Sequence, residues 1–235
     1  MALLDEAIEA SGGLAHWTGL KRFSLQLSIQ GALLSRAGHA KRFKNIVAEG
    51  STRSQLVRFS GFAEPGESGL YQPDSVTIED ASGNVLRTWR EPHRALRDQA
   101  ESTTWDELHF IFLCGFSVWN YLMTPFILSH PDTTVEELPP WQEANQLWRR
   151  LKVTFPPGVT THSPVQTFYF DASGLQRRVD HALLDTQVAH YSWAHQAFGR
   201  VVIPTLRRSL ALKTDGTVVR SPALLEVEIF DATFD

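Results

Sequence analysis

The feature that most constrains this chain is a run of residues, 110–128, that contains no charged side chain. Such a run is long enough for a transmembrane helix. It also fits a buried helix, because a helix that is apolar on all sides is usually enclosed by protein. Asn120 and Pro125 in the run, and acidic residues beside it, favour the buried alternative. We therefore predict a central helix, without integral membrane insertion, that kinks or ends near Thr124, before the proline.

On both sides of this helix the hydrophobic period changes to two. Apolar and polar side chains alternate over residues 22–30, which is typical of a strand with one solvated face. Asp and Gly residues at 80–83, 171–174 and 214–216 predict tight turns, since Gly accepts a positive φ without steric cost. Strands joined by short turns are antiparallel neighbours. The other predicted strands are 41–49, 52–62, 70–79, 84–91, 148–155, 165–171, 175–184, 187–197, 201–213 and 218–231.

Two further segments have helical signals. Residues 3–11 are predicted to form a short amphipathic helix, because apolar residues recur there at helical spacing before a Gly-Gly pair. A second helix is predicted at 134–146, where Thr134 and Glu137 have the spacing of a capping box. In the alternative, the proline pair at 139–140 splits this helix.

These elements predict an α+β, mainly β fold in one domain spanning residues 1–235. A curved antiparallel sheet of about 10–11 strands, shaped as a half-open barrel, wraps around the central apolar helix. Its predicted parts are an N-terminal helix (3–11), a first meander (22–91), central helices (105–146) and a second meander (148–231).

Composition and charge narrow the function. The hydrophobic fraction of 43% and the charged fraction of 20% are those of an ordinary globular protein. A formal net charge of −4 argues against a general nucleic-acid binder. The single cysteine, Cys114, excludes an intramolecular disulfide and fits a reducing compartment. Since the N-terminal residues also lack the pattern of a signal peptide, we predict a cytoplasmic protein.

No strong catalytic motif is present. The sequence has no glycine-rich phosphate loop, no Gly-x-Ser-x-Gly elbow, no paired-histidine zinc motif and no Cys-x-x-Cys. We therefore predict no cofactor and no metal. Cys114 lies among aromatic residues of the central helix, where a thiol is normally inert packing.

Three polar residues, His109, Asn120 and Tyr121, lie on the predicted central helix. Asn120 follows His109 by about three helical turns, so the two share a face of an ideal helix. Buried polar groups that face a sheet are usually structural hydrogen-bond partners. The alternative is that these groups line a ligand pocket.

A second group lies on the predicted strand 187–197. Period two places Tyr191, Trp193 and His195 on one face and His190 on the other, which argues against a shared metal. Tyr191 and His195 are candidates for an acid and a base, because histidine transfers protons near neutral pH. Ordinary sheet packing is the alternative role.

Charged residues lie on the strands that flank this one, with Asp180 and His181 on one and Arg207 and Arg208 on the other. A carboxylate near arginines on a sheet usually forms a cross-strand pair. The functional alternative is a rim that binds a ligand carboxylate, since arginine grips one with two hydrogen bonds.

The whole pattern resembles the lipoprotein-carrier (LolA/LolB-like) half-barrel, in which an incomplete antiparallel barrel holds acyl chains against helices. The N-terminal Gly12-Gly13-Leu14 and Trp17, followed by paired β meanders with apolar helices between them, carry this likeness. The C-terminal third also resembles a group of uncharacterised bacterial proteins of similar length. The matching stretches are 155–158 with 161–163, 174–178 with Asp180, 189–191 with His195, and 203–208.

The resemblance implies a hydrophobic cavity between sheet and helix. We expect it to bind a hydrophobic small molecule or lipid. An enzyme of the violacein pathway resembles the same half-barrel, so the alternative is a cofactor-independent enzyme of cyclase or isomerase type. A third possibility is a groove for a peptide or a second subunit. The predicted ligand-binding residues are His109, Asn120, Tyr121, Tyr191, Trp193, His195 and Arg207, with His195, Tyr191 and His109 as the catalytic candidates.

Overall fold

The computed structural model describes residues 2–62, 64–92, 105–183 and 186–235. Within these ranges the helices are α1 (Leu3–Ala10), α2 (Leu14–Trp17), α3 (Ala32–Arg36) and α4 (Glu107–Met123), followed by a 3₁₀ helix (Phe126–Ser129). The strands are β1 (Arg22–Gln30), β2 (Ile46–Ser51), β3 (Val57–Ser60), β4 (Ser68–Gln72), β5 (Ser75–Glu79), β6 (Val85–Arg90), β7 (Thr134–Glu143), β8 (Gln146–Thr154), β9 (Val165–Phe170), β10 (Gln176–Leu183), β11 (Thr186–Phe198), β12 (Val201–Leu212), β13 (Val218–Val219) and β14 (Leu225–Phe234).

These strands form one antiparallel sheet in the order β6-β5-β4-β3-β2-β1-β14-β12-β11-β10-β9-β8-β7, with β13 paired to β12. The two meanders join at the centre, where β1 pairs with β14 and Phe23 lies opposite Phe234. The edges β6 and β7 do not pair with each other, so the curved sheet stays open. The prediction of a curved antiparallel sheet around a central helix is therefore confirmed.

The described strands outnumber the predicted 10–11 because two predicted strands each divide into two and one predicted helix, at 134–146, is a strand. The segment 70–79 divides at a turn into β4 and β5, which pair with each other. The segment 218–231 divides into the short β13 and the long β14. The predicted turns at 80–83, 171–174 and 214–216 are present, with φ of 81°, 79° and 84° at their glycines.

The prediction of a helix at 134–146 is wrong. Residues Thr134–Glu143 are strand β7, which pairs with β8 along its length. The register shifts between Leu138 and Trp141, where the two prolines lie. Prolines have no N–H for the ladder, and they are tolerated at a bulge on an edge strand but not inside a helix. The proline pair therefore outweighs the capping-box signal of Thr134 and Glu137.

The central helix α4 ends where the sequence predicts. The Asp106 carboxylate accepts the backbone N–H groups of Leu108 and His109 and caps the first turn. Thr124 is extended, with φ −80° and ψ 133°, directly before Pro125. Among the described residues no helix has both the length and the hydropathy that crossing a bilayer requires.

Helix α4 packs closely on β3, β4 and β5 of the first meander. Its Gly115 lies against the ring of Tyr71 on β4, so that a Cβ at this position would overlap the ring. Gly69 of β4 leaves similar space for Ile111 of α4. Because these residues are fully buried among apolar side chains, this contact is the main core of the protein.

Helix α1, predicted at 3–11, covers a second apolar cluster on the other meander. Leu3 and Ala7 pack there with Leu151, Phe168 and Phe170 of β8 and β9. The chain leaves α1 through Gly12, whose φ is 119°. A Cβ there would meet the carbonyl oxygen of Arg200, so the close approach requires glycine.

Candidate functional site

Strands β10, β11 and β12 present buried polar side chains to α4. In the β11–β12 ladder His190 lies opposite Ser209 and Ser192 lies opposite Arg207, so all four point to the concave face. Their exposures are at most 3%. His181 of β10 is buried as deeply. This surface differs from an ordinary sheet core, in which the buried face is apolar.

Aromatic rings connect this surface to α4. The ring of Tyr121 stacks on His190 at a centroid distance of 4.1 Å and on His162 at 5.4 Å. The rings of His162 and His181 lie 4.1 Å apart, and the guanidinium of Arg207 lies 4.9 Å from the Tyr121 ring. We call these five residues, Tyr121, His162, His181, His190 and Arg207, the histidine cluster.

The hydrogen bonds assign the tautomer of His190. Its Nε2 lies 3.5 Å from Arg207 Nη1, and since a guanidinium only donates, this nitrogen accepts. Its Nδ1, 2.9 Å from Ser209 Oγ, then carries the proton and donates. Burial, and next the charge of Arg207, lower the pKa of His190, so the ring is neutral.

The other two histidines are also held in the neutral form. Burial lowers the pKa of His162, with further contributions from His181 and His190. Burial lowers the pKa of His181 to about 4. His162 Nε2 lies 3.0 Å from Ser117 Oγ on α4, whereas His181 Nε2 has no hydrogen-bond partner.

Arg207 is the charged member of the cluster. It donates to the carbonyl oxygen of Tyr121 over 3.0 Å and weakly to Ser192 Oγ over 3.4 Å, while its Nε has no partner. Burial lowers the pKa of Arg207 to about 10. No carboxylate of the described residues forms an ion pair with it.

Two small cavities flank Tyr121 between α4 and the sheet. One, of about 10 Å³, has a mixed lining of apolar side chains and of polar ones that include His162, Gln166, Gln176 and His181. The other, also about 10 Å³, is lined by Arg207 and by apolar side chains of β1, β14 and α4. Each has room for about one water molecule. Neither of these two cavities is therefore large enough for a ligand in this arrangement of α4.

The three site residues predicted on α4 lie in two different parts of the helix, Asn120 and Tyr121 near its C-terminal end and His109 in its first turn. Asn120 Nδ2 donates to the carbonyl oxygens of Phe116 and Thr160, at 2.7 and 3.0 Å, beside the histidine cluster. His109 lies in the first turn, where its Nδ1 is 2.7 Å from the Asp106 carboxylate and its ring packs on Trp89. It is about 18 Å along the helix from Tyr121, so the two belong to different surroundings.

Tyr191, Trp193 and His195 lie on one side of β11, opposite Arg208, Leu206 and Pro204 respectively, as period two predicts. Because His190 faces α4, this side is the outer face of the sheet. The rings of Tyr191 and Trp193 stack there at 5.6 Å. The structure therefore does not bring Tyr191 and His195 together with His109 or Tyr121. The charge of Arg207 does act on His195, because it lowers the pKa of that histidine after burial and the charge of Arg177.

Tyr191 takes part in an ionic network on the outer face. Its hydroxyl donates to Glu143 over 2.9 Å and accepts from Arg178 over 3.2 Å. Arg178 also pairs with Asp180 at 2.6 Å. The predicted cross-strand pair of Asp180 with Arg207 or Arg208 is therefore not formed, because β11 lies between these strands and Arg208 pairs with Glu226 instead.

Trp193 lines an open groove of about 460 Å³ on the outer face. Leu206 continues its apolar wall, and Lys44, Glu226 and Glu228 contribute charges of both signs. The predicted ligand-binding residues thus lie on both faces of the sheet. Their role in binding stays a prediction.

Sequence reasoning missed His162, Ser192 and Ser209, and it gave His181 no role in the interior. The strand register pairs His190 with Ser209 and Ser192 with Arg207. Alternation along each strand predicts its two faces but not the register between two neighbouring strands. His162 lies in a loop with no periodic signal.

Comparison with family models finds no match, and comparison with curated proteins finds none either. Solved structures are similar in fold. A LolA superfamily protein from Nitrosomonas europaea has a TM-score of 0.54 at 10% identity, covering 98% of this chain and 91% of that one. A domain from Vibrio parahaemolyticus described as an outer membrane lipoprotein-sorting protein domain has a TM-score of 0.51 at 11% identity, covering 99% and 91%. The chain therefore has the LolA-like fold.

Proposed function

We propose that the protein binds a hydrophobic small molecule or a lipid between α4 and the second meander, at the histidine cluster. The observation that carries this proposal is incomplete packing between α4 and the second meander. Two cavities flank Tyr121, and two buried polar atoms beside them, His181 Nε2 and Arg207 Nε, have no partner. Native interiors rarely leave such groups unsatisfied without a reason.

The chemistry of the lining suits this ligand class. Binding pockets for small molecules are mostly apolar with a few polar groups that fix orientation. Here Leu25, Leu27, Val227 and Ile229 form an apolar wall, and Arg207 stands at the same cavity. Since each cavity holds about one water, a ligand enters only when the C-terminal half of α4 moves away from the sheet.

The fold likeness supports the lipid as one form of this ligand, because one similar structure is described as a lipoprotein-sorting domain. Fold alone does not assign a function. The cytoplasmic location stays a prediction. The enzymatic alternative is not supported, because its candidate His109 lies in the first turn of α4, apart from Tyr191 and His195 on β11.

The first test is native mass spectrometry of the protein purified from its own host cells, followed by denaturing extraction. We expect a retained hydrophobic molecule that is released on unfolding. The second test is titration with a lipophilic fluorescent probe. The Val227→Trp variant fills the apolar cavity from β14 and is expected to lose binding.

The matched control is Phe230→Trp, on the same strand but 48% exposed on the outer face. It adds the same side chain without changing the interior, so probe binding should equal that of the unmodified protein. Equal probe binding by both variants would place the ligand elsewhere and reject the proposal.

A further inference from the structure

Arg207 differs from the other arginines of this part of the sheet because its charge has no counter-charge among the described residues. Its exposure is 2%, and no Asp or Glu of the described residues pairs with it. The next residue, Arg208, pairs with Glu226 at 2.8 Å, and the similarly buried Arg178 pairs with Asp180 at 2.6 Å. Burial of a cation without a counter-charge is strongly unfavourable.

The groups around Arg207 are acceptors without negative charge. Its guanidinium contacts the carbonyl oxygen of Tyr121, the hydroxyl of Ser192 and the neutral ring of His190. Its Nε has no partner. A planar guanidinium with free N–H donors matches a carboxylate or a phosphate, which accept two parallel hydrogen bonds from it.

A small apolar cavity borders this cation. The apolar cavity that Arg207 lines is otherwise formed by aliphatic side chains of β1, β14 and α4 and by Tyr121. The unpaired charge and the aliphatic wall therefore meet at one place. A molecule that satisfies both has a charged end and a hydrocarbon body.

We infer that the ligand is an amphiphile with an anionic head group, a carboxylate or a phosphate, which pairs with Arg207 while its chain lies between α4 and strands β1 and β14. This inference rests on the proposed function and adds the chemical class of the ligand. It makes Arg207 a binding residue and separates its role from that of Arg208.

The test compares three probes with the same twelve-carbon chain: laurate, dodecan-1-ol and dodecyl phosphate. Each is titrated into the full chain by calorimetry near neutral pH, the two anions below their critical micelle concentrations and the alcohol below its solubility limit. We expect laurate or dodecyl phosphate to bind roughly ten- to hundredfold more tightly than dodecan-1-ol, as for hydrogen bonds to a charged group. The tighter of the two anions identifies the head group.

The Arg207→Met variant should bind all three probes with similar affinity. The control Arg208→Met, which removes a charge from the outer face, should keep the anion preference. Arg207→Met should also raise the unfolding temperature of the ligand-free protein, because it removes an unpaired buried cation. If Arg207→Met does not fold, Arg207→Gln provides the same comparison.

The outcomes separate the two proposals. Equal binding of laurate, dodecyl phosphate and dodecan-1-ol by the unmodified protein overturns the anionic head group and leaves the hydrophobic site in place. An anion preference that persists in the Arg207 variants also overturns the inference. Absence of binding by all three probes, with no molecule retained in native mass spectrometry, rejects the hydrophobic site itself.

Discussion

The two sides of α4 meet the sheet in different ways. Towards β3–β5, which we call the apolar side, the contact is made by side chains such as Phe110, Ile111 and Tyr71 and is so close that it requires Gly115. Towards β10–β12, the polar side, the contact consists of stacked rings, hydroxyl groups and an unpaired guanidinium, with two cavities. Close packing is typical of a contact that stabilises the fold, whereas buried polar groups without a partner need a further physical explanation. The Tyr71 hydroxyl is one such group on the apolar side.

The largest expected effect is on the apolar side. Phe110 is fully buried and its ring contacts those of Phe43 and Trp105. Phe110→Ala should lower the free energy of unfolding by about 3–5 kcal/mol, because it removes apolar contacts and leaves a cavity. Urea denaturation measures this change. The control Phe230→Ala, on the outer face, should change it by less than about 0.5 kcal/mol.

An intermediate effect is expected on the polar side when the pH falls. The pKa of His181 is about 4 in the folded protein, and an unfolded histidine titrates near 6.5. Below pH 6.5 the unfolded chain therefore binds more protons than the folded one, and the free energy of unfolding decreases until about pH 4. His181 alone should account for roughly 3 kcal/mol of this decrease.

The measurement is urea denaturation at several pH values between 4 and 7. His162 and His190 should add to the slope, since burial also lowers the pKa of each, and Arg207 and Tyr121 do not titrate in this range. His181→Gln should flatten the slope. An unchanged slope in that variant would show that the pKa of His181 is the same in the folded and the unfolded protein.

The smallest effect concerns one hydroxyl group of the polar side. Ser209→Ala leaves the Nδ1–H of His190 without its acceptor at 2.9 Å. The free energy of unfolding should fall by about 1–3 kcal/mol, the cost of an unsatisfied buried donor. Ser209→Thr keeps the hydroxyl and serves as the control. Equal stability of the alanine variant and the unmodified protein would mean that a water replaces the hydroxyl, and the polar side would then be wetter than described.

Much of the fold follows from local pattern. The alternation of residues 22–30 predicts β1, and the uncharged run with Pro125 predicts both the burial and the end of α4. The Asp-Gly turns occur where predicted, and the Asp80 and Asp171 carboxylates accept backbone N–H groups there. Only short-range sterics and hydrogen bonding are needed for these features, so neighbouring residues are sufficient to predict them.

Residues 134–146 show where local signals conflict. The spacing of Thr134 and Glu137 favours a helix, whereas the two prolines and the partner strand β8 favour an edge strand with a bulge. The partner is part of the tertiary structure, and it decides the outcome because a paired edge strand tolerates the prolines that a helix excludes.

Local sequence pattern is enough to select Tyr121 and Arg207 as candidates, to predict that α4 is buried and to show that the two faces of β11 differ. Which of these faces lies inside depends on the tertiary structure. His190 and Tyr191 are both polar aromatic residues, so alternation does not reveal their direction. It is set when β1 pairs with β14, more than 190 residues apart in sequence, and brings the second meander against α4. That long-range pairing buries Arg207 without a carboxylate partner in the described part of the chain, which no local pattern can indicate.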